Sequence, residues 1–226
     1  MFHRERQRTT IYDINFKPIV KAHIMNTAVT RDIGQLRWAH TLRVTKLATK
    51  LAEYIPDKVD IRKVKMMCIL HDMYKYIEYD EDCHGYMVSK YLDDILRAFV
   101  NEMDENEKKG WCEVSNALAL HSDKDSEEAR ECNPYLALLQ DADVLDKLSI
   151  GWIWQTNRIF ASDEPVEVTA NYYKDKVDQY VGGTPGYHDL YNKAVKILEN
   201  TSWSDRKMKL SKKWTKQYGV IKKGDK

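Results

Sequence analysis

The chain has 226 residues, 43% of them apolar and 31% charged, which suits one domain with a sizeable core, with or without an appendage. Nine glycines and five prolines are few for this length, so helices are favoured over a turn-rich sandwich. The net charge of +1 hides an uneven spread: residues 206–226 hold nine Lys/Arg and one acid, a tail of +8, while the other 205 residues hold 27 basic and 34 acidic side chains, a body of −7.

No apolar run approaches the length that crosses a bilayer, so no membrane partner is expected. The first residues, Met1-Phe2-His3-Arg4, lack the apolar stretch of a secretory signal. Cys68, Cys83, Cys112 and Cys132 form no C-x-x-C pair, and they read as reduced thiols of a cytoplasmic protein.

Residues 1–30 are weakly periodic and read as an arm with a short helix near Ile19–Met25; His3 and His23 are expected at the surface. A first strong helix is predicted over Asp32–Tyr54, capped by Thr30 or Asp32 and closed by Pro56. Leu36, His40, Val44, Leu47, Leu51 and Ile55 recur at three- and four-residue steps, so His40 stands on the buried stripe where a leucine is expected. A second helix is predicted over Ile61–Ile77, with Val64, Met67, Cys68 and His71 on one face. Asp72 adjoins that face, and a half-buried carboxylate needs a cation or donors. An ion pair with Lys75 is the plain solution and a metal the chemical one.

Beyond an acidic connection at Tyr79–Cys83, His84 opens a third helix whose inward residues include Val88, Leu92 and Phe99. A fourth helix is predicted over Glu105–Leu120, with His121 continuing its stripe. A charged loop spans Ser122–Asn133, and Pro134 starts a fifth helix reaching Thr156 that is apolar nearly all round and therefore central. It contains Asp141, Asp143 and Asp146 within two turns; at least one must face a cation, and Asp143 is best placed. Helical stretches over Val168–Tyr180 and Tyr187–Asn200 flank a Gly182-Gly183-Thr184-Pro185-Gly186 turn.

His40, His71, Asp72 and Asp143, drawn from three helices, form a donor set of imidazoles and carboxylates. It suits one or two divalent transition metal ions, with Mn, Fe, Co or Ni ahead of Zn or Mg. His84 and His121 can supply a second ion or touch a phosphate, with Asp72 bridging. Such a site makes hydroxide available near neutral pH, and Lys75 can offset charge on a phosphoryl group.

In type, order and spacing, His40, His71-Asp72, His84, His121 and Asp143 resemble the HD-domain metal-dependent phosphohydrolases, over roughly residues 30–160. The resemblance implies an all-α fold, with metal ligands at His40, His71, Asp72 and Asp143, and hydrolysis of a phosphoester or phosphoanhydride. His71-Asp72-Met73-Tyr74-Lys75 is similar to the H-D-x-x-K form of the symmetrical diadenosine tetraphosphatases, in which the extra histidines match His84 and His121. Gln140–Asp146 looks like a branch of HD nucleotide pyrophosphohydrolases, although Val144 stands where that branch has arginine.

The expected architecture is a single helical HD-domain bundle over 31–200, an N-terminal arm over 1–30, a C-terminal helical extension and a basic, flexible tail over 201–226. The expected activity is hydrolysis of a nucleotide or dinucleotide polyphosphate by metal-bound hydroxide, with Asp72 and Lys75 as catalytic residues. A catalytically silent module binding nucleotide or RNA is the alternative, because Trp214 and Tyr218 stand among lysines of the tail. A di-iron oxygenase ranks below both. A small phosphorylated substrate is the expected partner, and nucleic acid a lesser one through the tail.

Overall fold

A computed structural model describes residues 10–75, 83–124 and 127–206. The acidic connection at 76–82 and nearly all of the basic tail lie outside them. The described residues are helical, with no strand among them. The α-helices are α1 (Phe16–Thr27), α2 (Arg31–Ala52), α3 (Ile61–Leu70), α4 (His84–Leu96), α5 (Glu105–Leu120), α6 (Glu127–Cys132), α7 (Pro134–Asp146), α8 (Ile150–Phe160), α9 (Val166–Asp178) and α10 (Tyr187–Glu199). No helix among the described residues is long and apolar enough to cross a membrane.

The central element is α7. Asn133 caps it, its side chain accepting from the amides of Tyr135 and Leu136, and Pro134 fits the first turn where no amide partner is needed. Every residue from Tyr135 to Asp146 is buried, so the helix has no solvent face. Against it pack α2, which buries Val44, Ala48 and Leu51, and α5, which buries Trp111, Val114 and Leu118. A second apolar cluster, built on Val144, Leu148, Ile153, Val166, Val177 and Trp203, joins α8, α9 and the end of the described chain to α7.

Four elements depart from the sequence expectation. The N-terminal segment carries the full helix α1, whose Phe16, Val20 and Ile24, four residues apart, are buried in the main core. The predicted second helix stops at Leu70: His71–Lys75 form turns, with Met73 N bonded to Leu70 O and Lys75 N to Asp72 O. The predicted fifth helix breaks at Lys147–Ser149, where the Ser149 hydroxyl accepts from Trp152 N and caps a new helix, α8. The charged loop after His121 also contains the short helix α6.

One of the three aspartates of α7 serves the fold alone. Asp141, fully buried, accepts from the Tyr180 hydroxyl (2.8 Å), Gly183 N (2.9 Å), Thr184 N (2.7 Å) and the Thr184 hydroxyl (2.5 Å). It anchors the glycine-rich turn before α10. Gly85 serves it elsewhere: a Cβ there would lie 2.5 Å from the Leu118 carbonyl oxygen and 2.9 Å from that of Ala119. Only glycine lets the first turn of α4 press onto the end of α5. Asp141→Ala should strand the two buried donors of Thr184 and free those of Tyr180 and Gly183, lowering unfolding stability by about 3 kcal/mol in urea titration. It should leave ion content unchanged; loss of ions in a folded Asp141→Ala protein would contradict the assignment.

Candidate metal centre

The end of α3 meets α2, α4, α5 and α7 at one buried point. His40 on α2, His71 and Asp72 in the turn after α3, His84 at the start of α4 and His121 at the end of α5 are each 4% exposed or less, and Asp143 on α7 is buried as well. The structure brings together every residue expected there from the sequence.

The backbone around Asp72 fixes its position. The Arg37 guanidinium on α2 donates to the Asp72 carbonyl oxygen at 2.7 Å, and Lys75 N closes the turn onto the same oxygen. The Asp72 side chain is then shared between two sides. Its Oδ2 lies 3.5 Å from His40 Nε2 and 3.6 Å from His71 Nε2. Its Oδ1 lies 3.3 Å from His84 Nε2 and 3.5 Å from His121 Nε2. Two groups of potential ligands result, His40–His71–Asp72 and Asp72–His84–His121, with the ligand atoms of each within 4.8 Å of one another. Asp143 stands at the edge of the first group, its Oδ1 at 3.1 Å from His40 Nε2.

The hydrogen bonds of the imidazoles set their tautomers. A carbonyl oxygen only accepts, so His71 donates from Nδ1 to Cys68 O (2.7 Å) and His121 from Nδ1 to Leu118 O (2.7 Å). Burial pushes the His71 pKa down to about 3 and lowers that of His121, so both rings are neutral and point an Nε2 lone pair inward. His71 Nε2 and Asp72 Oδ1 are buried without a hydrogen-bond partner. Lone pairs of imidazole facing carboxylate oxygens repel unless a cation lies between them, and this donor set is the kind that holds a divalent transition metal ion.

His40 has a different support. Its Nδ1 donates to Asp146 Oδ2 (2.8 Å), and Arg43 grips the same carboxylate with Nε (2.7 Å) and Nη2 (3.0 Å). Burial alone would lower the His40 pKa, but the bonds to Asp143 and Asp146 raise it to about 9. The three carboxylates stay ionised despite burial. Lys75 holds Asp72 well below the usual range, Lys124 and His40 hold Asp143 there, and Arg43 and His40 lower Asp146.

Two ammonium groups flank the centre. Lys75 Nζ is 3.3 Å from Asp72 Oδ2, and Lys124 Nζ is 2.9 Å from Asp143 Oδ2 while also donating to the His121 carbonyl (2.7 Å). The Gln140 amide on α7 reaches Asp123 O at 2.5 Å and Leu120 O at 3.3 Å, clamping the turn that carries His121. Sequence reasoning missed Asp146, Lys124 and Gln140. Asp146 had a readable signal, as a carboxylate one turn beyond Asp143 on a helix with no solvent face; Lys124 in a charged loop had none.

A family model described as HD domain matches residues 37–148, which span His40 to Asp146. The chain thus carries an HD domain, of a family whose members are typically metal-dependent hydrolases. No curated protein and no solved structure matches it.

Two outcomes follow from this geometry. At pH 7 His40 carries a proton in the ion-free protein, so an ion taken by its Nε2 should expel close to one proton. Affinity should rise about tenfold per pH unit and level off near pH 9. Calorimetry in buffers of different ionisation enthalpy counts the proton; none released would remove His40 from the ligand set. Asp146→Asn should weaken ion binding by about 10–100-fold with the fold intact, read by competition with a chromogenic chelator.

Proposed function

We propose that this protein is a metal-dependent hydrolase acting on the phosphate of a nucleotide or dinucleotide polyphosphate. The observation that carries the reading is the division of one buried carboxylate, Asp72, between two pairs of imidazole nitrogens. A carboxylate so placed can bridge two cations. Two cations side by side suit a phosphoryl group, whose attacking and leaving oxygens both need charge compensation.

His40, His71, Asp72 and Asp143 would hold one divalent transition ion, and Asp72, His84 and His121 a second. Mn, Fe, Co or Ni fit this mixture of nitrogen and oxygen donors ahead of Zn or Mg. Bound there, such ions lower the pKa of water and polarise a phosphoryl oxygen. The chain contributes the rest. Asp146 keeps the proton of His40 on Nδ1, so that Nε2 stays a donor to the ion. Lys75, paired with Asp72, and Lys124, paired with Asp143, can exchange these carboxylates for phosphate oxygens and neutralise charge as it develops. Burial of the centre keeps water other than the reacting molecule away from these charges.

The test joins elemental analysis to phosphate release. The purified protein should hold between one and two equivalents of a first-row transition metal. It should release phosphate from at least one member of a nucleotide panel, and a chelator should stop this. His71→Ala and Asp72→Ala should each lower turnover by at least about a thousandfold, as expected when a metal ligand is removed from the reacting centre. Full metal content with no turnover across the panel would leave a nucleotide-binding module in place of an enzyme. No metal under any loading condition would end the proposal.

A further inference from the structure

A second cavity lies in the seam between α1 and α3 and shares no lining residue with the cavity at the metal centre. Its volume is about 240 Å³. The floor is apolar: Phe16 from α1 and Met66 and Ile69 from α3 line it, each 8% exposed or less. Three cations, Lys17, Arg62 and Lys65, share the lining, and no carboxylate does. The α1 side of the seam precedes residues 37–148, those matched as an HD domain. The chemistry of that domain therefore does not account for the cavity.

The three cations differ in what holds them. Arg62 is committed: it bonds Asp60 through Nε (3.2 Å) and Nη2 (2.7 Å), and its guanidinium lies 4.0 Å over the Tyr12 ring. It thereby fixes one side of the cavity. Lys17 and Lys65 are exposed and form no ion pair with any described residue. Asn15 stands beside them as the N-cap of α1, and its side chain makes no capping bond. The first amides of that helix are left for water or an anion. Two ammonium groups beside a helix N-terminus, over an apolar floor, attract a molecule that is greasy at one end and negative at the other.

The chain's own ends do not supply that molecule. Residues 1–9 hold three arginines and one acid, and residues 206–226 are still more basic. Phe2 has a side chain the floor would accept, but it arrives among arginines and would bring cations to cations. A free ligand meets no such conflict. At about 30 Å³ per water molecule the cavity holds about eight waters, which a chain of about eight carbons would displace.

We infer that this seam binds a small amphipathic anion, its apolar chain on Phe16, Met66 and Ile69 and its carboxylate between Lys17 and Lys65. The inference does not rest on the hydrolase reading above. Such a ligand is not the substrate, since neither group of potential metal ligands lines the cavity. It is an effector seated on α3, the helix that runs into His71 and Asp72.

The experiment uses the full chain and sodium octanoate. Calorimetry should show one molecule bound per chain. From butanoate through hexanoate to octanoate, affinity should rise about fourfold per methylene, the equivalent of about 0.8 kcal/mol for each buried CH₂, and then level off. Octylammonium should not bind. In methyl NMR spectra the signals of Met66 and Ile69 should shift, while those of Val29 and Ile33, in the cavity at the metal centre, should not. Lys17→Glu and Lys65→Glu, at exposed positions where folding is not at stake, should together weaken octanoate binding by about tenfold or more and leave metal content unchanged. No octanoate bound at millimolar concentration overturns the site. Equal binding of octylammonium overturns it, as does binding that both charge reversals leave intact. Affinity that climbs unchecked to dodecanoate would mark a detergent-like surface instead of a cavity. Shifts confined to Val29 and Ile33 would assign the carboxylate to the metal centre and remove the proposal. A Phe2→Asp protein that binds octanoate tenfold more tightly would give the cavity to the chain's own N-terminus.

Discussion

The buried carboxylate of Asp72 is the constraint on which the rest depends. It is 2% exposed, ionised and surrounded by four imidazoles. A carboxylate so far from water costs several kcal/mol unless charge and donors compensate it. Lys75 supplies part of that from the same turn. The neutral rings of His71 and His121 supply none, because their only protons point away to backbone carbonyls. The helices that meet here thus bring together groups that repel one another, and their packing makes sense around cations that the side chains themselves do not include.

The aspartates of α7 show how one helix divides its charges. Asp141 faces the C-terminal segment and spends both oxygens on the turn before α10. Asp143 faces the ligand cluster and Lys124. Asp146 faces α2, where it orients His40 and takes the Arg43 fork. All three are buried, with different partners. The geometry of a 3.6-residue turn sends Asp141 to the far side from Asp143, two residues on, whereas Asp143 and Asp146, three apart, share a side and both reach His40. The same carboxylate chemistry thus anchors the fold, bears on the centre and tunes a ligand.

Much of this was legible in the chain. His40 was visible because it interrupts an apolar stripe, and Asp143 because α7 has no polar face to hide it. His84 and His121 were visible as histidines at helix ends. Side-chain interactions that compete with the backbone were not visible. The end of α3 is set where the His71 ring takes the Cys68 carbonyl, which no periodicity reveals. The break before α8 hangs on one serine hydroxyl within a pattern that otherwise continues. Long-range partners were equally silent: Arg43 reads as an exposed helix position until Asp146, 103 residues away in the chain, is placed beside it. The contact of Trp152 with Tyr173, ring centres 5.8 Å apart, depends on that unforeseen break.

Gly85 has a consequence for how the centre is held. It allows α4 to lie tightly on the end of α5 and so sets His84 and His121 in contact, 3.0 Å between their Nε2 atoms. Among the described residues α4 packs chiefly on α5 and sends Val88 and Leu92 into the main core. The two imidazoles of the second ligand group are thus placed by a single helix pair, so a side chain at position 85 would press on that group directly and on His40 and His71 only through it.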